Sequence, residues 1–189
     1  MRLFAAVDLS AEAREAMAAE QRRIQAALGL SGASLKWVRP DHAHLTLVFL
    51  GEVDDARVPA LVEDTGRDIN LRVFDLAFAG VGMFPERGAP RVLWIGISAG
   101  SDPLIAVQRE LASRIAAHGI ALEPRPFHPH LTLARWRASR PSDRARVKAA
   151  AGAGILARQS CARATLYQSC LLPAGARYTA LAHANLTGA

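Results

Sequence analysis

The chain lacks the features that mark a secreted or membrane protein. It has two cysteines in 189 residues, and no apolar run approaches the roughly 20 residues that span a bilayer. One predicted strand would separate Cys161 from Cys170 by about 30 Å, whereas the Cα atoms of a disulfide lie within about 7 Å. Asp8 interrupts the first apolar stretch too early for a signal sequence. We therefore expect reduced thiols, a cytoplasmic location and no membrane contact.

Lysine is also scarce, although the chain is basic. Lys36 and Lys148 are the only lysines, so arginine supplies nearly all of the positive charge behind the formal net charge of +6. Guanidinium groups suit phosphate better than ammonium groups do. This favours a nucleic-acid substrate, although a GC-rich genome would enrich arginine as well. The content of 51% hydrophobic and 21% charged residues is typical of a globular protein, and the length fits a single domain over residues 1–189.

Hydrophobic periodicity and turn residues predict alternating strands and helices. Strands are predicted over 2–9, 35–38, 44–50, 73–80, 92–97, 130–135, 161–172 and 178–184. Helices are predicted over 11–28, 54–69, 103–118 and 142–150. A strand, a helix, a second strand, a second helix and a third strand follow one another twice. This order predicts two intertwined, duplicated lobes related by a pseudo-twofold axis.

The tetrapeptide His-Leu-Thr-Leu occurs at 44–47 and again at 130–133. Side chains in a strand alternate between its two faces. Each copy therefore puts His and Thr on one face and both Leu on the other. Because the copies occupy equivalent places in the two halves, we expect the two His-Thr pairs to face one cleft.

Two such pairs can cleave a phosphodiester without a metal. In-line displacement requires a base for the attacking oxygen, an acid for the departing oxygen on the opposite side, and donors for the non-bridging oxygens. Two histidines with an ordinary pKa near 6.5 can divide the first two tasks at neutral pH. Two threonine hydroxyls can supply the donors.

A zinc site is the alternative use of these residues. His42 with His44, and His128 with His130, form two His-x-His pairs. Apart from Asp41, no further Asp, Glu or Cys lies near them at ligand spacing. We therefore expect no metal and no cofactor, and place His42 and His128 at the edge of the cleft.

Aromatic side chains offer surfaces for stacking on a nucleobase. Phe84, Phe127 and Trp136 are candidates, although each also suits a core position. Trp94 lies within an apolar strand, so we expect it in the core. The loop at 83–90 is rich in turn-forming residues and would border the cleft.

The chain resembles the bacterial and archaeal RNA 2′,3′-cyclic phosphodiesterases, also called 2′-5′ RNA ligases, of the 2H phosphoesterase superfamily. The segments that carry the resemblance cover nearly the whole chain and read LFAAVDL, LKWVRPDHAHLTLVFLGEV, GVGMFPERGAPRVLWIGI, PFHPHLTLAR and ATLYQSCLLPAGARYTAL. The resemblance implies an α+β, bilobal fold. In it, mainly antiparallel sheets from two lobes surround a central cleft, with helices outside.

The resemblance also implies a role for each site residue. It gives His44 as proton donor and His130 as proton acceptor. The residues expected to bind the substrate are Thr46, Thr132 and Arg135. Strict alternation from His130 turns Arg135 to the opposite face, so Arg135 reaches the cleft only if the strand ends or twists there.

The implied activity is hydrolysis of an RNA terminal 2′,3′-cyclic phosphate to a 2′-phosphate, with 2′-5′ RNA ligation as the reverse direction. Two alternatives stay open: a 2H enzyme acting on small cyclic nucleotides or cyclic nucleotide-sugar phosphates, and a non-catalytic module that binds RNA ends. The expected partner is an RNA with a cyclic phosphate terminus or a cyclic nucleotide. We expect the protein to be a monomer.

Overall fold

The computed structural model describes residues 1–29, 35–173 and 175–188. The strands in these ranges are β1 (Arg2–Asp8), β2 (Leu35–Trp37), β3 (His44–Glu52), β4 (Phe74–Phe84), β5 (Val92–Ala99), β6 (His130–Trp136), β7 (Ile155–Cys161), β8 (Arg163–Leu172) and β9 (Gly175–Asn185). The helices are α1 (Ala11–Leu28), α2 (Val58–Thr65), α3 (Ser101–Ala117) and α4 (Asp143–Ala150).

Ser10 caps α1 by accepting a hydrogen bond from the backbone N–H of Ala13.

The strands form two antiparallel sheets with corresponding strand orders. The first sheet has the order β3-β1-β8-β9 and the second has the order β2-β6-β5-β4-β7. The strand that carries each HLTL motif, β3 or β6, pairs with the strand that opens its half, β1 or β5. The fourth strand of each half, β4 or β8, joins the sheet of the other half. The predicted α+β fold with antiparallel sheets is confirmed, whereas a duplication of the chain stays a prediction.

Two pairs of helices cover the sheets. Helix α1 packs against α4 and β7 of the second sheet, while α2 and α3 pack together and contact β9 and β3 of the first. The leucines of both motifs are buried, as the alternation predicts: Leu45, Leu47, Leu131 and Leu133. Burying both leucines of a motif fixes which face of its strand carries the His-Thr pair. Among the described helices, none is long and apolar enough to cross a membrane.

Several predicted element boundaries are wrong. Strand β4 runs on to Phe84 instead of ending at 80, and β9 begins at Gly175 instead of 178. The helix expected at 54–69 is confined to Val58–Thr65, because Asp54 caps a separate 3₁₀ turn at Asp55–Arg57. The strand expected at 161–172 is two strands, since β7 ends at Cys161 and β8 begins at Arg163. The prediction had no counterpart to β7 because the polar Gln159 is buried in it while the apolar Ile155 is exposed, so its sequence shows no hydrophobic alternation.

The two cysteines lie on strands of different sheets. Cys161 ends β7 and Cys170 lies in β8, and both are free thiols. The expected absence of a disulfide between them is therefore correct, although they do not share the single strand on which that expectation rested. Burial raises the pKa of the Cys161 thiol to about 12, so this thiol stays protonated and unreactive at neutral pH.

A β-bulge interrupts the HLTL motif in each strand. In β6, Thr132 and Ala134 pair with consecutive residues of β5, which leaves Leu133 without a partner. Strand β3 has the same irregularity at the equivalent position. Because a bulge adds one residue, it reverses the alternation of side chains beyond it. Arg135 therefore shares the face of His130, and the strict alternation assumed from the sequence is wrong at this point.

A buried side chain of α1 holds the bulge of β6. Gln21 is only 7% exposed. Its side-chain amide donates hydrogen bonds to the carbonyl oxygens of Leu133, at 3.0 Å, and Val38, at 2.7 Å. The backbone N–H of Val38 donates to the same Leu133 carbonyl at 2.8 Å. Gln21 thus ties α1 both to the bulge and to the segment that precedes β3.

Replacing Gln21 with Leu should lower the free energy of unfolding by about 1–3 kcal/mol, because the Val38 carbonyl then lacks a donor where water has little access. Gln25, exposed on the same helix, provides the matched control. Gln25→Leu should change that free energy by less than about 0.5 kcal/mol. Urea unfolding followed by circular dichroism measures both, and equal losses in the two variants would contradict the role assigned to Gln21.

Candidate active site

The imidazoles of the two motifs are held by the same local hydrogen bond. Nδ1 of His44 lies 2.9 Å from the carbonyl oxygen of His42, and Nδ1 of His130 lies 2.7 Å from the carbonyl oxygen of His128. A carbonyl oxygen only accepts hydrogen bonds, so Nδ1 carries the proton in both rings. Nε2 is then the nitrogen that can take up or release a proton on each side.

Aromatic rings and one carboxylate surround His44. Phe4 stacks on the imidazole with 4.7 Å between ring centroids, and Tyr178 meets it edge-on at 5.3 Å. Burial lowers the pKa of His44, whereas the negative charge of Asp8 acts to raise it. Asp8 pairs with His44 across β1 and β3, a neighbour that the sequence alone does not reveal.

Hydroxyl groups hold the Asp8 carboxylate in place. It accepts hydrogen bonds from Tyr167 at 2.5 Å and from Thr165 at 3.1 Å. Burial, together with the Asp8 carboxylate, raises the pKa of Tyr167 to about 12, so the phenol remains a donor. Nδ1 of His183 lies 3.1 Å from the Thr165 oxygen. Because the single hydroxyl proton of Thr165 goes to Asp8, this oxygen accepts from His183.

Aromatic rings and one cation surround His130. Phe84 meets its imidazole edge-on at 5.1 Å between centroids, and Trp94 lies at 6.1 Å. Trp94 is half-buried beside the site rather than in the core as expected, because it pairs with Thr132 and shares its face. Burial lowers the pKa of His130, and the positive charge of Arg135 lowers it further.

The two threonines follow their histidines on the same faces. Thr46 and Thr132 are half-buried. Neither hydroxyl has a hydrogen-bond partner within the part of the chain that the structure describes. Strands β3 and β6 contact each other, so the two motifs lie on neighbouring strands. Both hydroxyls are therefore free to donate a hydrogen bond.

Two cavities adjoin the two histidines. The first, which we call the His44 cavity, has a volume of about 430 Å³ and is lined by His44, Asp8, Arg14, Tyr167 and Tyr178 among others. The second, which we call the arginine cavity, has a volume of about 940 Å³. Its walls include Phe84, Trp136, Arg87, Arg91, Arg125 and Arg137. Phe84 connects the arginine cavity to His130, whose imidazole it contacts.

The other sequence candidates are distributed around these cavities. Trp136 is 9% exposed and belongs to the core, and Phe127 packs against that core from outside. His42 contacts Tyr178 at 5.5 Å between ring centroids, so it lies beside the His44 cavity. Over residues 1–29, 35–173 and 175–188, no group of three or more His, Cys, Asp or Glu side chains could hold a metal ion.

The antiparallel sheets and the paired His-x-Thr strands are the arrangement that the resemblance to the 2H phosphoesterases implies. The family model of the 2'-5' RNA ligase superfamily matches residues 7–169. The chain therefore belongs to the 2′-5′ RNA ligase superfamily, and the resemblance found in the sequence is confirmed.

Individual relatives agree with this assignment. The RNA 2′,3′-cyclic phosphodiesterase of Archaeoglobus fulgidus is 33% identical over 141 residues, which cover 75% of this chain and 76% of that protein. The crystal structure of TT0787 of Thermus thermophilus matches with a TM-score of 0.78 and 30% identity, covering 100% of this chain and 99% of that one. E. coli LigT complexed with 3′-AMP matches with a TM-score of 0.75 and 31% identity, covering 98% of each chain.

Both site histidines should titrate below the ordinary pKa of about 6.5, because burial disfavours their charged forms. Asp8→Asn should lower the pKa of His44 further, and Arg135→Gln should raise the pKa of His130. Side-chain NMR titration of each imidazole measures both effects. Each variant serves as the control for the other, since each should act mainly on its own histidine. A pKa above 6.5 for either ring in the parent protein would contradict the burial argument.

Proposed function

We propose that this protein hydrolyses the 2′,3′-cyclic phosphate at the end of an RNA to a 2′-phosphate, with His130 as base and His44 as acid. The observation that carries the proposal is the opposite charge beside two otherwise matched imidazoles. Asp8 favours the protonated form of His44 and Arg135 favours the neutral form of His130. A pair of titratable groups whose surroundings push their pKa values apart is suited to acid-base catalysis.

The reaction follows an in-line path. Water gives a proton to Nε2 of His130 as its oxygen attacks phosphorus. The P–O3′ bond breaks on the opposite side, and Nε2 of His44 gives its proton to the departing O3′. The P–O2′ bond stays intact, so the product is a 2′-phosphate. Proton exchange with solvent then returns both imidazoles to their starting forms.

The phosphate itself has three expected ligands in this proposal. The hydroxyls of Thr46 and Thr132 donate to the non-bridging oxygens, and Arg135 contributes positive charge on the His130 side. Charge-assisted hydrogen bonds of this kind are each worth about 1.5–3 kcal/mol. The bound anion also favours the charged form of a nearby imidazole, which opposes the effect of burial on His44 once substrate is present.

The proposal needs neither a metal nor a cofactor. Two imidazoles move the protons, and hydroxyl and guanidinium groups stabilise the charge on the phosphate. When a 5′-hydroxyl takes the place of water, the same displacement breaks the P–O3′ bond and forms a 2′-5′ linkage. Curated relatives named RNA 2′,3′-cyclic phosphodiesterase support the choice of RNA as substrate, as does a positive charge carried almost entirely by arginine.

His44→Ala and His130→Ala should each lower kcat/KM for a cyclic-phosphate RNA by roughly 10²- to 10⁴-fold, because each removes one proton-transfer group. His118→Ala is the matched control. His118 bonds Asp64 at 2.6 Å at the end of α3, outside both cavities, and its loss should leave the rate unchanged. Near-parental rates in either site variant, with folding verified by circular dichroism, would contradict the two-histidine mechanism.

A substrate with a better leaving group in place of O3′ shows which histidine acts as the acid and which as the base. Such a substrate needs less help from an acid, so it should restore the rate of His44→Ala much more than that of His130→Ala. The ratio of kcat/KM between the two substrates, measured in each variant, gives this comparison. The opposite order would reverse the roles, and equal restoration would mean that the histidines do not divide the proton transfers as proposed.

A further inference from the structure

Four rings form a cluster on the face of the second sheet that carries His130. The ring of Trp94 contacts the other three, with centroid distances of 5.1 Å to Phe84, 5.2 Å to His128 and 6.1 Å to His130. We propose that Trp94 is a positioning residue, whose indole lies over the bare backbone of Gly82 and holds the imidazole of His130 in place for proton transfer. This inference rests on the proposed function, because it takes His130 as the base.

Strand pairing puts three residues side by side on this face. Trp94 of β5 pairs with Thr132 of β6 on one side and with Gly82 of β4 on the other. Residues that pair directly across strands share a face of the sheet. The indole can therefore lie toward the threonine, whose hydroxyl is an expected phosphate ligand, or toward the glycine on the opposite side of β5.

The indole lies over the glycine. A Cβ atom on Gly82 would be 2.1 Å from Cη2 and from Cζ2 of Trp94, and 2.5 Å from Cε2. Any larger residue at position 82 therefore excludes the ring from this place. Gly96, which pairs with His130, also borders the ring, because a Cβ atom there would be 3.4 Å from Cζ3. Two positions without side chains thus accommodate the six-membered ring on the side of β5 away from Thr132.

Trp94 also holds the residue that orients His130. His128 lies before β6 in a segment that belongs to no helix or strand, and its carbonyl oxygen lies 2.7 Å from Nδ1 of His130. The rings of Trp94 and Phe84 meet the His128 ring edge-on, at 5.2 Å and 5.5 Å between centroids. The indole therefore supports both the imidazole of His130 and the carbonyl group that sets its tautomer.

The indole nitrogen favours a positioning role over a purely structural one. Nε1 of Trp94 is buried and has no hydrogen-bond partner in the part of the chain that the structure describes. A buried indole N–H usually finds an acceptor, and a buried donor without one lowers the stability of the fold. The contacts of the ring with His128 and His130, rather than a gain in stability, therefore explain the presence of an indole here.

The ring cluster contributes to the burial that lowers the pKa of His130. Burial is the largest cause of that lowering; the charges of His128 and Arg135 act in the same direction, and the hydrogen bond to the His128 carbonyl opposes it. Removing the indole reduces the burial but leaves both charges in place. The pKa of His130 should then rise, while the pKa of His44, which lies in the other sheet, should stay unchanged.

Trp94→Leu tests the ring, and Trp37→Leu is its matched control. Trp37 is half-buried in β2 of the same sheet, outside the ring cluster. Trp94→Leu should raise the pKa of His130 toward about 6.5 in an NMR titration. It should also lower kcat/KM for a cyclic-phosphate RNA about tenfold or more, mainly through kcat, because the base is less well placed. Trp37→Leu should change neither quantity. An unshifted pKa in Trp94→Leu, or an equal shift in Trp37→Leu, would overturn the inference.

A double-mutant cycle tests the pairing of the indole with Gly82. Gly82→Ala alone should lower kcat/KM by roughly tenfold to a hundredfold, because its methyl group displaces the ring. In the Trp94→Leu background the same substitution should cost less than about twofold, since no ring remains to be displaced. Equal losses in the two backgrounds would mean that Gly82 acts through the backbone alone, and the pairing would be wrong.

Circular dichroism checks the folding of each variant. If Gly82→Ala does not fold, a folded double variant with Trp94→Leu supports the pairing, and an unfolded one contradicts it. Failure of the parent to hydrolyse the cyclic-phosphate RNA would instead refute the proposed function. The NMR titration of His130 needs no turnover, so it would still decide whether Trp94 buries and holds that imidazole.

Discussion

The hydrogen bond from imidazole Nδ1 to the carbonyl two residues earlier is the constraint on which the site depends. It occurs in both motifs, between His44 and His42 and between His130 and His128. It fixes one tautomer and leaves Nε2 as the nitrogen that can exchange a proton in both rings. Such a bond can form only where the chain before the strand turns its carbonyl back toward the imidazole. The segments that precede β3 and β6 are therefore as much a part of the site as the motifs themselves.

The two imidazoles are held by the same hydrogen bond, but the charged side chains beside them have opposite signs. A carboxylate held by Tyr167 and Thr165 lies beside His44, whereas a bulge in β6 brings a guanidinium to His130. The equivalent of Arg135 in the first motif is Phe49, which is 56% exposed. The symmetric part of the molecule therefore sets two imidazoles on strands that contact each other. The asymmetric part gives them neighbours of opposite charge, which is the difference that the proposed division into acid and base requires.

Much of this could be predicted from the sequence, because hydrophobic alternation and a repeated motif are local signals. The family and the α+β fold are confirmed, and the buried leucines follow the predicted alternation. The bulge that reorients Arg135 could not be predicted, since it arises from the pairing of β6 with β5. Strand pairing also places Asp8 beside His44, which the sequence alone does not show. The pairing of Trp94 with Thr132 likewise explains why the prediction of a core position for Trp94 is wrong. The site residues and their roles stay predictions that only activity measurements can test.

In the proposed mechanism, two histidines break the P–O3′ bond without a metal. The most direct test is to incubate the protein, in the presence of EDTA, with an RNA ending in a 2′,3′-cyclic phosphate and to locate the product phosphate by ³¹P NMR. The account predicts full turnover to a terminal 2′-phosphate alone. A 3′-phosphate product, or activity that EDTA abolishes and one divalent metal restores, would contradict it.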